Sequence, residues 1–306
     1  MRIFDKIKIY DFCMERTLMY DILINPHSGK GKSLAALKTV ETILTGKQIE
    51  YTVHRTAYPG HAQEIVRELN KKDDCKLIVM GGDGSFNEAL NGIEDFSKIT
   101  VGFIPCGTGN DYVKATNIPR DPAKALEFIL KDDIGYTDFI QLDDRRALNT
   151  TGAGMDVDVL VKYGQMKAFH GKAKYYAALF YTVLHLRFHR MIIELDGKTE
   201  EKSIIITSIC NGIYIGGGMP IGPLADVNDG LLDVVIIKET SKFKVYKLLL
   251  KFLKGKHLDN PDTEYVRCKE IKVTLLDDGK TQVDGEVYDN KVLHCKIAHN
   301  VLKTFK

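Results

Sequence analysis

Two carboxylates that could accept a proton lie two residues apart, as Asp284 and Glu286 with Gly285 between them. On a regular β-strand, residues i and i+2 share a face, so the two side chains would lie side by side. Neighbouring carboxylates raise one another's proton affinity, and such a pair suits general acid–base chemistry. The spacing leaves a second interpretation open, in which the segment is a hairpin turn with solvated carboxylates.

A third carboxylate, Asp83, lies among glycines in the segment MGGDGSFNEALNGI, residues 80–93. These glycines permit positive φ and a close approach of backbone to a ligand. The segment follows the apolar run 76–80, which is typical of a strand buried on both faces, and ligands of parallel sheets bind beyond the carboxyl ends of such strands. Core packing does not require this pattern, so we expect a binding loop.

The helix that follows this loop offers polar side chains with two interpretations. Ser85 could cap the helix, with Glu88 at the capping-box position, which is a structural role. Asn87, one turn into the helix, is a poor core residue and is predicted to contact a nucleotide.

A second glycine-rich loop lies in FIPCGTGNDYVKAT, residues 103–116, again after a predicted strand. Gly107 and Gly109 bracket Thr108, and the pair Asn110-Asp111 opens a helix. A plain loop with a helix cap would also explain the pattern. Because the loops follow strands of one sheet, we expect them to converge on one edge of it.

The stretch INPHSGKGKS, residues 24–33, resembles the phosphate loop of an NTPase at first sight. That loop needs glycine five positions before the glycine of its Gly-Lys-Ser, and here the position holds Pro26, which lacks an N–H. The strict pattern therefore fails. A strand, a glycine-rich loop and a helix in succession still suit an anion, because backbone amides at a helix N-terminus attract negative charge.

The elements that position these loops alternate through the first half of the chain. Apolar periodicity predicts strands at 20–25, 50–55, 76–80 and 100–104, and helices at 31–46, 61–71, 85–92, from about 109, and at 121–131. Such alternation implies a parallel sheet covered on both faces.

After about residue 136 the pattern becomes mainly that of β-strands. We predict strands at 146–152, 191–195, 203–212, 231–237, 270–276, 281–284 and 292–297, with helices at 159–187 and 241–254. The fold class is therefore an α/β domain followed by a β-rich domain.

Composition describes a globular chain of 306 residues with 44% hydrophobic residues and a net charge of +2, which gives no bulk electrostatic case for nucleic acid. Two segments, 159–193 and 238–256, combine lysines with aromatic and aliphatic residues and could face an anionic membrane surface. An ordinary amphipathic helix with a solvated lysine face is the alternative. Six scattered cysteines without a C-x-x-C pair predict reduced thiols in a cytosolic protein. No signal peptide or membrane span is recognised.

The motifs taken in order, NPHSG, YPGHAQE, GGDGSFNEALNG, GTGND, PLADVNDG and VDGEVYDN, resemble the catalytic domain of the bacterial soluble diacylglycerol and lipid kinases. That superfamily also holds sphingosine kinases, NAD kinases and phosphofructokinases. The resemblance covers residues 18–306 and departs from the family mainly at Ser85, where threonine is commoner.

The resemblance implies a Rossmann-like first domain similar to that of NAD kinases and phosphofructokinases, and a sandwich-like second domain. We therefore predict an N-terminal extension of unassigned role (1–17), an α/β nucleotide-binding domain (18–138) to which residues 298–306 return, and a β-rich lipid-substrate domain (139–297).

The resemblance also implies a nucleotide between the domains. The residues that match its site are Asn25, Pro26, His27, Ser28, Gly29, Thr56, Gly82, Asp83, Gly84, Ser85, Phe86, Asn87, Glu88, Gly107, Thr108, Gly109, Asn110 and Asp111.

Catalytic roles follow from the same resemblance. In the family the glutamate of the D-G-E motif is the proton acceptor, so Glu286 is our choice, with Asp284 in a supporting role. Asp83 would hold catalytic Mg²⁺ through water or join the proton relay.

The loop 225–231 resembles the family's structural Mg²⁺ loop, in which Asp226, Asp229 and the carbonyl of Leu231 would be ligands. Hard oxygen ligands suit Mg²⁺. A plain Asn-Asp-Gly turn is the alternative.

The leading hypothesis is a kinase that transfers phosphate from ATP, with Mg²⁺, to diacylglycerol at the inner face of the membrane. A sphingoid base, ceramide or, less in keeping with the motifs, NAD stay open as acceptors. A non-catalytic nucleotide or lipid sensor is the second alternative, and the presence of all three carboxylates argues against it. No nucleic-acid partner is expected, no protein partner follows from the sequence, and a homodimer is left open.

Overall fold

The computed structural model describes residues 19–167 and 171–306. The predicted extension 1–17 lies outside the described residues, as do residues 168–170 within the predicted helix 159–187.

The first half of the chain forms a parallel sheet with helices on both faces. Its strands are β1 (Met19–Ile24), β2 (Glu50–Arg55), β3 (Cys75–Gly81) and β4 (Ile99–Pro105). Its helices are α1 (Lys32–Gly46), α2 (His61–Leu69), α3 (Asp83–Gly92), α4 (Asp111–Lys114) and α5 (Pro122–Ile129), and a 3-10 turn spans Ser28–Gly31. The strands pair in the order β2-β1-β3-β4.

Strand β3 is buried on both faces, as its continuous apolar run predicts. Leu77 and Val79 belong to the hydrophobic cluster under α2 and α3. Ile78 and Met80 belong to the cluster under α1 and α5. Successive side chains of β3 point to opposite faces of the sheet, so this one strand packs against both helical layers.

The second half is mainly β. Its strands are β5 (Ile134–Leu142), β6 (Arg146–Ala147), β7 (Thr150–Gly154), β8 (His189–Leu195), β9 (Lys198–Cys210), β10 (Tyr214–Ile215), β11 (Met219–Pro220), β12 (Leu232–Lys238), β13 (Thr263–Cys268), β14 (Glu270–Leu275), β15 (Thr281–Val283), β16 (Glu286–Tyr288) and β17 (Val292–Phe305). Its helices are α6 (Met155–Gln165), α7 (Gly171–Leu184) and α8 (Lys242–Phe252). The predicted fold class, a parallel α/β half followed by a β-rich half, is confirmed.

Strand β17 joins the two halves. It pairs antiparallel with β14 and β5, and through Thr304 it pairs parallel with Val101 of β4. One sheet therefore runs through both halves, and the last residues of the chain lie beside the parallel strands.

Two helix predictions were wrong, and β5 was missed. The helix 159–187 is two helices, α6 and α7, and Gly164 near the end of α6 has weak helix propensity. The helix expected from about 109 is a single turn, Asp111–Lys114. Strand β5 was not predicted, because its centre carries Thr137 and Asp138, which are polar yet buried.

Candidate active site

The three predicted loops meet at the carboxyl ends of β1, β3 and β4, where they line one depression. Its lining residues are Asn25, Ser28, Gly29, Gly82, Asp83, Gly84, Ser85, Glu88, Gly107, Thr108 and Gly109. Every one of them belongs to the set predicted to bind the nucleotide. The structure therefore brings together residues from three separate segments of the sequence.

Glycine is required where the loops touch. A Cβ on Gly107 would lie 2.5 Å from Cα of Gly82, so the backbones of the loops that follow β3 and β4 are in direct contact. Gly29 has φ +61°, and a Cβ there would overlap the carbonyl oxygen of Cys106. The amides of Cys106 and Gly107 both donate to the carbonyl of Gly81, at 2.7 and 3.1 Å. These contacts form a surface of backbone that a phosphate group can approach closely.

The N-terminus of α3 opens on the same depression. The helix begins at Asp83, and its first intrahelical bond runs from the amide of Phe86 to the carbonyl of Gly82. The amides that precede Phe86 in the helix have no acceptor within it, and they carry the positive end of the helix dipole. A depression of this kind favours an anion.

Some residues of the predicted set lie outside the depression. Phe86 is fully buried against Phe103, with ring centroids 4.6 Å apart, so it is a core residue. Asn110 has φ 51°, and its side chain donates to the carbonyl of Gly107 at 3.0 Å. The amide of Thr56 donates to the carbonyl of Ile24. Asn110 and Thr56 thus hold loop backbone.

Pro26 and His27 also lie outside the lining of the depression. The amide of His27 donates to the side chain of Asn25 at 3.0 Å, so these residues shape the turn that presents Asn25.

Asp83 also lines a second cavity, formed mainly by the β-rich half. The lining residues are Asp83, Asp111, Asn149, Thr150, Asp156, Leu160, Tyr175, Ile215, Gly216, Gln282, Asp284 and Gly285. Four carboxylates from four segments of the chain meet there, beside apolar side chains from α6, α7 and β10. We call it the carboxylate cavity.

Asp284 is held rigidly at this cavity. Its Oδ1 accepts from the amides of Asn149 and Thr150, both at 2.9 Å. Its Oδ2 accepts from the amide of Leu148 at 2.7 Å and from the side chain of Asn87 at 2.8 Å. Burial raises the pKa of Asp284, and these hydrogen bonds oppose the rise. Asn87, predicted to contact the nucleotide, is therefore the residue that links α3 to Asp284.

Asp83 lies in an unusual electrostatic setting. Burial, followed by the nearby charges of Asp111 and Asp284, raises the pKa of Asp83 to about 6. Its Oδ1 accepts from the amide of Tyr112 at 3.1 Å. Asp111 is itself fixed by Lys114, at 2.6 Å, and by the amide of Gly217. A carboxyl with a pKa near neutrality can exchange a proton at physiological pH.

Glu286, the predicted proton acceptor, lies just beyond Gly285 at the start of β16 and is exposed. Its Oε2 accepts from the hydroxyl of Tyr288 at 3.0 Å. Gly285 lines the carboxylate cavity, whereas Glu286 does not. The predicted pairing of the two carboxylates on one strand face is wrong, because Asp284, with φ 47°, and Gly285 form the turn between β15 and β16.

The predicted metal loop lies at an exposed turn. Asp226 accepts from the amide of Asn228, and Asp229 accepts from the amide of Leu231, each at 3.0 Å. The other oxygen of Asp229 pairs with Arg267. These hard oxygen donors fit Mg²⁺ by their chemistry, with Arg267 as a competing cation. Across residues 19–167 and 171–306, no three His, Cys, Asp or Glu side chains group as a metal site. An ion here would therefore depend on two carboxylates, the Leu231 carbonyl and water.

The sequence interpretation missed the carboxylate that fixes this loop. Asp138 of β5 is fully buried and accepts from the amide of Gly230 at 2.8 Å. It also accepts from His299 and from the amide of Asn300, both on β17. Asp138 thus ties the predicted metal loop to the strand that joins the two halves.

Asp156 was also missed. It is buried, accepts from the amide of Val157 at 2.9 Å and from the side chain of Gln282 at 3.2 Å, and burial raises its pKa to about 6. Tyr175, on α7, completes the same wall of the cavity. No short motif marks these residues, because the fold alone brings α6, α7 and β15 together.

Comparison with known proteins agrees with this architecture. Residues 20–142 match the diacylglycerol kinase catalytic domain family, and residues 149–305 match the YegS C-terminal NAD kinase beta sandwich-like domain. A diacylglycerol kinase of Bacillus subtilis is 27% identical over 268 residues, which cover 87% of this chain and 88% of that protein. A diacylglycerol kinase of Staphylococcus carnosus is 26% identical over 267 residues, which cover 87% of each chain. The crystal structure of a diacylglycerol kinase from Bacillus anthracis has a TM-score of 0.72 at 22% identity, covering 94% of this chain and 96% of that chain, and shows the shared fold.

The parallel half with its glycine-rich loops corresponds to the first matched domain, and the β-rich half corresponds to the second. The chain belongs to the family defined by the YegS C-terminal NAD kinase beta sandwich-like domain, which spans half of it, and its first half carries a diacylglycerol kinase catalytic domain. It is accordingly an enzyme of the lipid kinase type, and the family implies ATP as its phosphate donor.

Proposed function

We propose that the protein transfers the γ-phosphate of ATP to the hydroxyl group of diacylglycerol and so forms phosphatidic acid. The names of the curated relatives supply the acceptor, and the site supplies the reason that an apolar alcohol would fit. Leu160, Tyr175 and Ile215 give the carboxylate cavity apolar walls, and its carboxylates would meet a hydroxyl group.

One observation carries the proposal. Asp83 lines both the backbone depression and the carboxylate cavity. A nucleotide whose phosphates lie in the depression and an alcohol in the cavity would then meet at one side chain. Phosphoryl transfer depends chiefly on positioning and electrostatic stabilisation, so a meeting point of this kind is what the reaction requires.

The residues have separate roles in this proposal. Backbone amides of the three loops and of the first turn of α3 bind the phosphates. Asp83 orients the acceptor hydroxyl, and Asp284 fixes the wall of the cavity through Leu148, Asn149 and Thr150. Glu286 remains the proposed proton acceptor on the strength of the family motif, and it directly follows Gly285, which lines the carboxylate cavity.

We propose two roles for Mg²⁺, one structural and one with the nucleotide. Asp226, Asp229 and the Leu231 carbonyl would hold a structural ion that fixes their loop. When Mg²⁺ is bound with the nucleotide, it neutralises charge on the phosphates during transfer.

The test is an acceptor panel. The purified protein, labelled ATP and Mg²⁺ are incubated with mixed micelles that carry diacylglycerol, a sphingoid base or ceramide, and with NAD in a micelle-free arm. Diacylglycerol should be labelled fastest, and the label should appear in phosphatidic acid.

Each other outcome has a defined meaning. Faster labelling of a sphingoid base, ceramide or NAD would replace diacylglycerol as the acceptor while leaving the kinase assignment in place. ATP binding without phosphorylation of any acceptor would favour the sensor hypothesis and contradict the proposal.

A further inference from the structure

Helices α7 and α8 cover the same face of the β-rich half. Leu179 and Val183 of α7 and Val245 and Leu248 of α8 belong to one buried cluster, together with Val235 of β12. The neighbouring β12 residues, Val234 and Ile236, point to the opposite cluster. Because both helices bury one side against this sheet face, their other sides point away from it.

The outward sides of the two helices are apolar. On α7 three exposed hydrophobic side chains recur every four residues, with Tyr181 beside them, and around α8 they recur at spacings of three and four through Tyr246, so each set lies along its helix. Phe243 is 70% exposed, Leu250 is 64% exposed and Phe180 is 57% exposed, among the most exposed large hydrophobic side chains described. We name this area the two-helix surface, and its residues are Tyr176, Phe180, Leu184, Phe243, Leu250 and Leu253.

The same area is basic. No Asp or Glu occurs from residue 240 to residue 258, whereas Lys242, Lys244, Lys247 and Lys251 lie on α8. Lys244 pairs with Asp262 at 3.3 Å, and the ammonium of Lys247 lies 4.6 Å from the ring centroid of Phe243. In the described part of the chain, Lys242, Lys247 and Lys251 form no salt bridge. Their charge is therefore available to an external anion.

The two-helix surface borders the carboxylate cavity. Tyr175 of α7 lines that cavity, and the next residue, Tyr176, is 49% exposed on the surface. One helix therefore has a side chain in the cavity and its neighbour on the outside. A molecule on this surface would therefore lie against a helix that also lines the cavity of Asp83.

We propose that the two-helix surface is the face by which the enzyme lies on an anionic lipid membrane, and that the acceptor reaches the carboxylate cavity past α7. The proposed route of the acceptor past α7 rests on the proposed function. The proposed contact with the membrane does not depend on it. No helix within residues 19–167 and 171–306 is both long and apolar enough to span a bilayer.

Charge and chemistry select this partner. An anionic bilayer offers phosphate groups for the lysines and acyl chains for Phe243 and Leu250 at the same time. A nucleic acid would match the lysines but leave these apolar side chains in water. Lysine stems are long enough to extend from an apolar surface to the headgroups.

The experiment measures the binding of the whole chain to vesicles. Vesicles of phosphatidylcholine alone are compared with vesicles that also contain phosphatidylglycerol. The test variant is the double substitution Phe180→Glu with Leu250→Glu. The matched control is Leu34→Glu, at an exposed leucine on α1, which is 42% accessible and belongs to a helix packed on the parallel sheet.

We expect wild type to bind the anionic vesicles at least roughly tenfold more tightly than neutral ones, since each lysine near such a surface strengthens binding severalfold. The double variant should bind them at least about tenfold more weakly, because it loses apolar burial and gains negative charge. The control should stay within about twofold of wild type. Binding should weaken as salt rises.

A second readout separates this inference from the proposed function. With a short-chain, water-dispersed diacylglycerol the double variant should phosphorylate as fast as wild type, because neither changed residue lines the site. If the wild-type protein does not phosphorylate this substrate, the assignment of diacylglycerol as the acceptor is wrong. Vesicle binding then still tests the two-helix surface independently. Unchanged vesicle binding by the double variant would overturn the inference. So would a change in self-association with no change in vesicle binding, which would make the area a protein interface.

Discussion

The backbone depression and the carboxylate cavity share Asp83, but the depression is formed mainly by main-chain atoms and the cavity by side chains. The depression is formed by glycine-rich loops whose backbones touch, as at Gly82 and Gly107. The cavity is formed by side chains, and its carboxylates come from segments more than 150 residues apart, such as Asp111 and Asp284. One surface depends on the absence of side chains, and the other depends on their exact placement.

The two surfaces should therefore be sensitive to different kinds of substitution. An added methyl group should damage the depression, because it separates backbones that must touch. A carboxylate-to-amide change should damage the cavity, because it keeps the shape and alters charge and hydrogen bonding. Substitutions at the two surfaces should therefore change nucleotide binding and phosphate transfer to the acceptor independently of each other.

Among the first four variants, the largest effect is expected for Glu286→Gln. Its side chain is exposed, so the variant should fold normally, yet turnover should fall about 10³-fold if Glu286 accepts the proton. Nucleotide binding should persist, which can be measured by equilibrium titration with ATP. Asp289→Asn, at a nearby exposed carboxylate paired with Lys280, is the control. Activity within tenfold of wild type would remove Glu286 as the base.

Asp284→Asn should affect both activity and stability. Each oxygen of Asp284 accepts two donors, so an amide NH₂ in either orientation would face two N–H groups. We expect a loss of about 2 kcal/mol in the free energy of unfolding and about 10²-fold in turnover. Urea denaturation and steady-state kinetics check the two effects. If the Asp284→Asn variant is as stable as wild type, the four hydrogen bonds do not hold Asp284 in place.

Gly107→Ala should damage the depression and spare the cavity. Its Cβ would lie 2.5 Å from Cα of Gly82, so the two loops must separate. We expect the Kd for ATP to rise about tenfold, because the phosphate-binding backbone moves. Gly46→Ala, at the end of α1 with open space around its Cβ, is the control. An unchanged Kd would mean that the touching backbones are not the nucleotide site.

The smallest effect is expected for Asp229→Ala, at the predicted metal loop. Loss of the half-exposed pair with Arg267 should cost less than about 1 kcal/mol. Mg²⁺ should raise the melting temperature of wild type but not of this variant, since the ion loses a ligand. Arg267→Ala removes the same ion pair and should retain the response to Mg²⁺. Equal responses in wild type and in Asp229→Ala would contradict a metal role for the loop.

The two surfaces also differ in how far the sequence predicts them. The loop residues lie within short contiguous motifs at strand ends, so the pattern identifies the depression almost completely. Some residues of these motifs do not line it, because Phe86 is a core residue and Pro26, His27, Thr56 and Asn110 shape or hold loop backbone. Burial of an aromatic side chain beside a binding loop depends on the facing strand, where Phe103 lies.

The cavity could be predicted only in part. Asp83 and Asp284 stand in recognisable motifs, but Asp156 and Tyr175 join them only through the packing of α6 and α7 against β15 and β10. Asp138 was missed with strand β5 for a related reason. A buried carboxylate that anchors a loop is indistinguishable in sequence from a solvated one, because its partners, such as His299, lie far along the chain.

A pH dependence follows from the setting of Asp83. Burial, with Asp111 and Asp284 nearby, raises the pKa of Asp83 from 3.8 to about 6, so the folded state holds this proton more tightly than the unfolded state. This carboxyl therefore lowers stability as pH rises from about 4 to about 6. Asp83→Asn should lack that contribution and be more stable than wild type at pH 8, with the difference vanishing below pH 4.

The most direct measurement of the central claim is the kinetics of Asp83→Asn with ATP and diacylglycerol both varied. If Asp83 is where the two substrates meet, turnover at saturating substrates should fall about 10³-fold, while the Kd for ATP changes less than about threefold. Turnover within tenfold of wild type would contradict the claim. Loss of ATP binding with normal turnover at saturating ATP would also contradict it, because Asp83 would then belong to the depression alone.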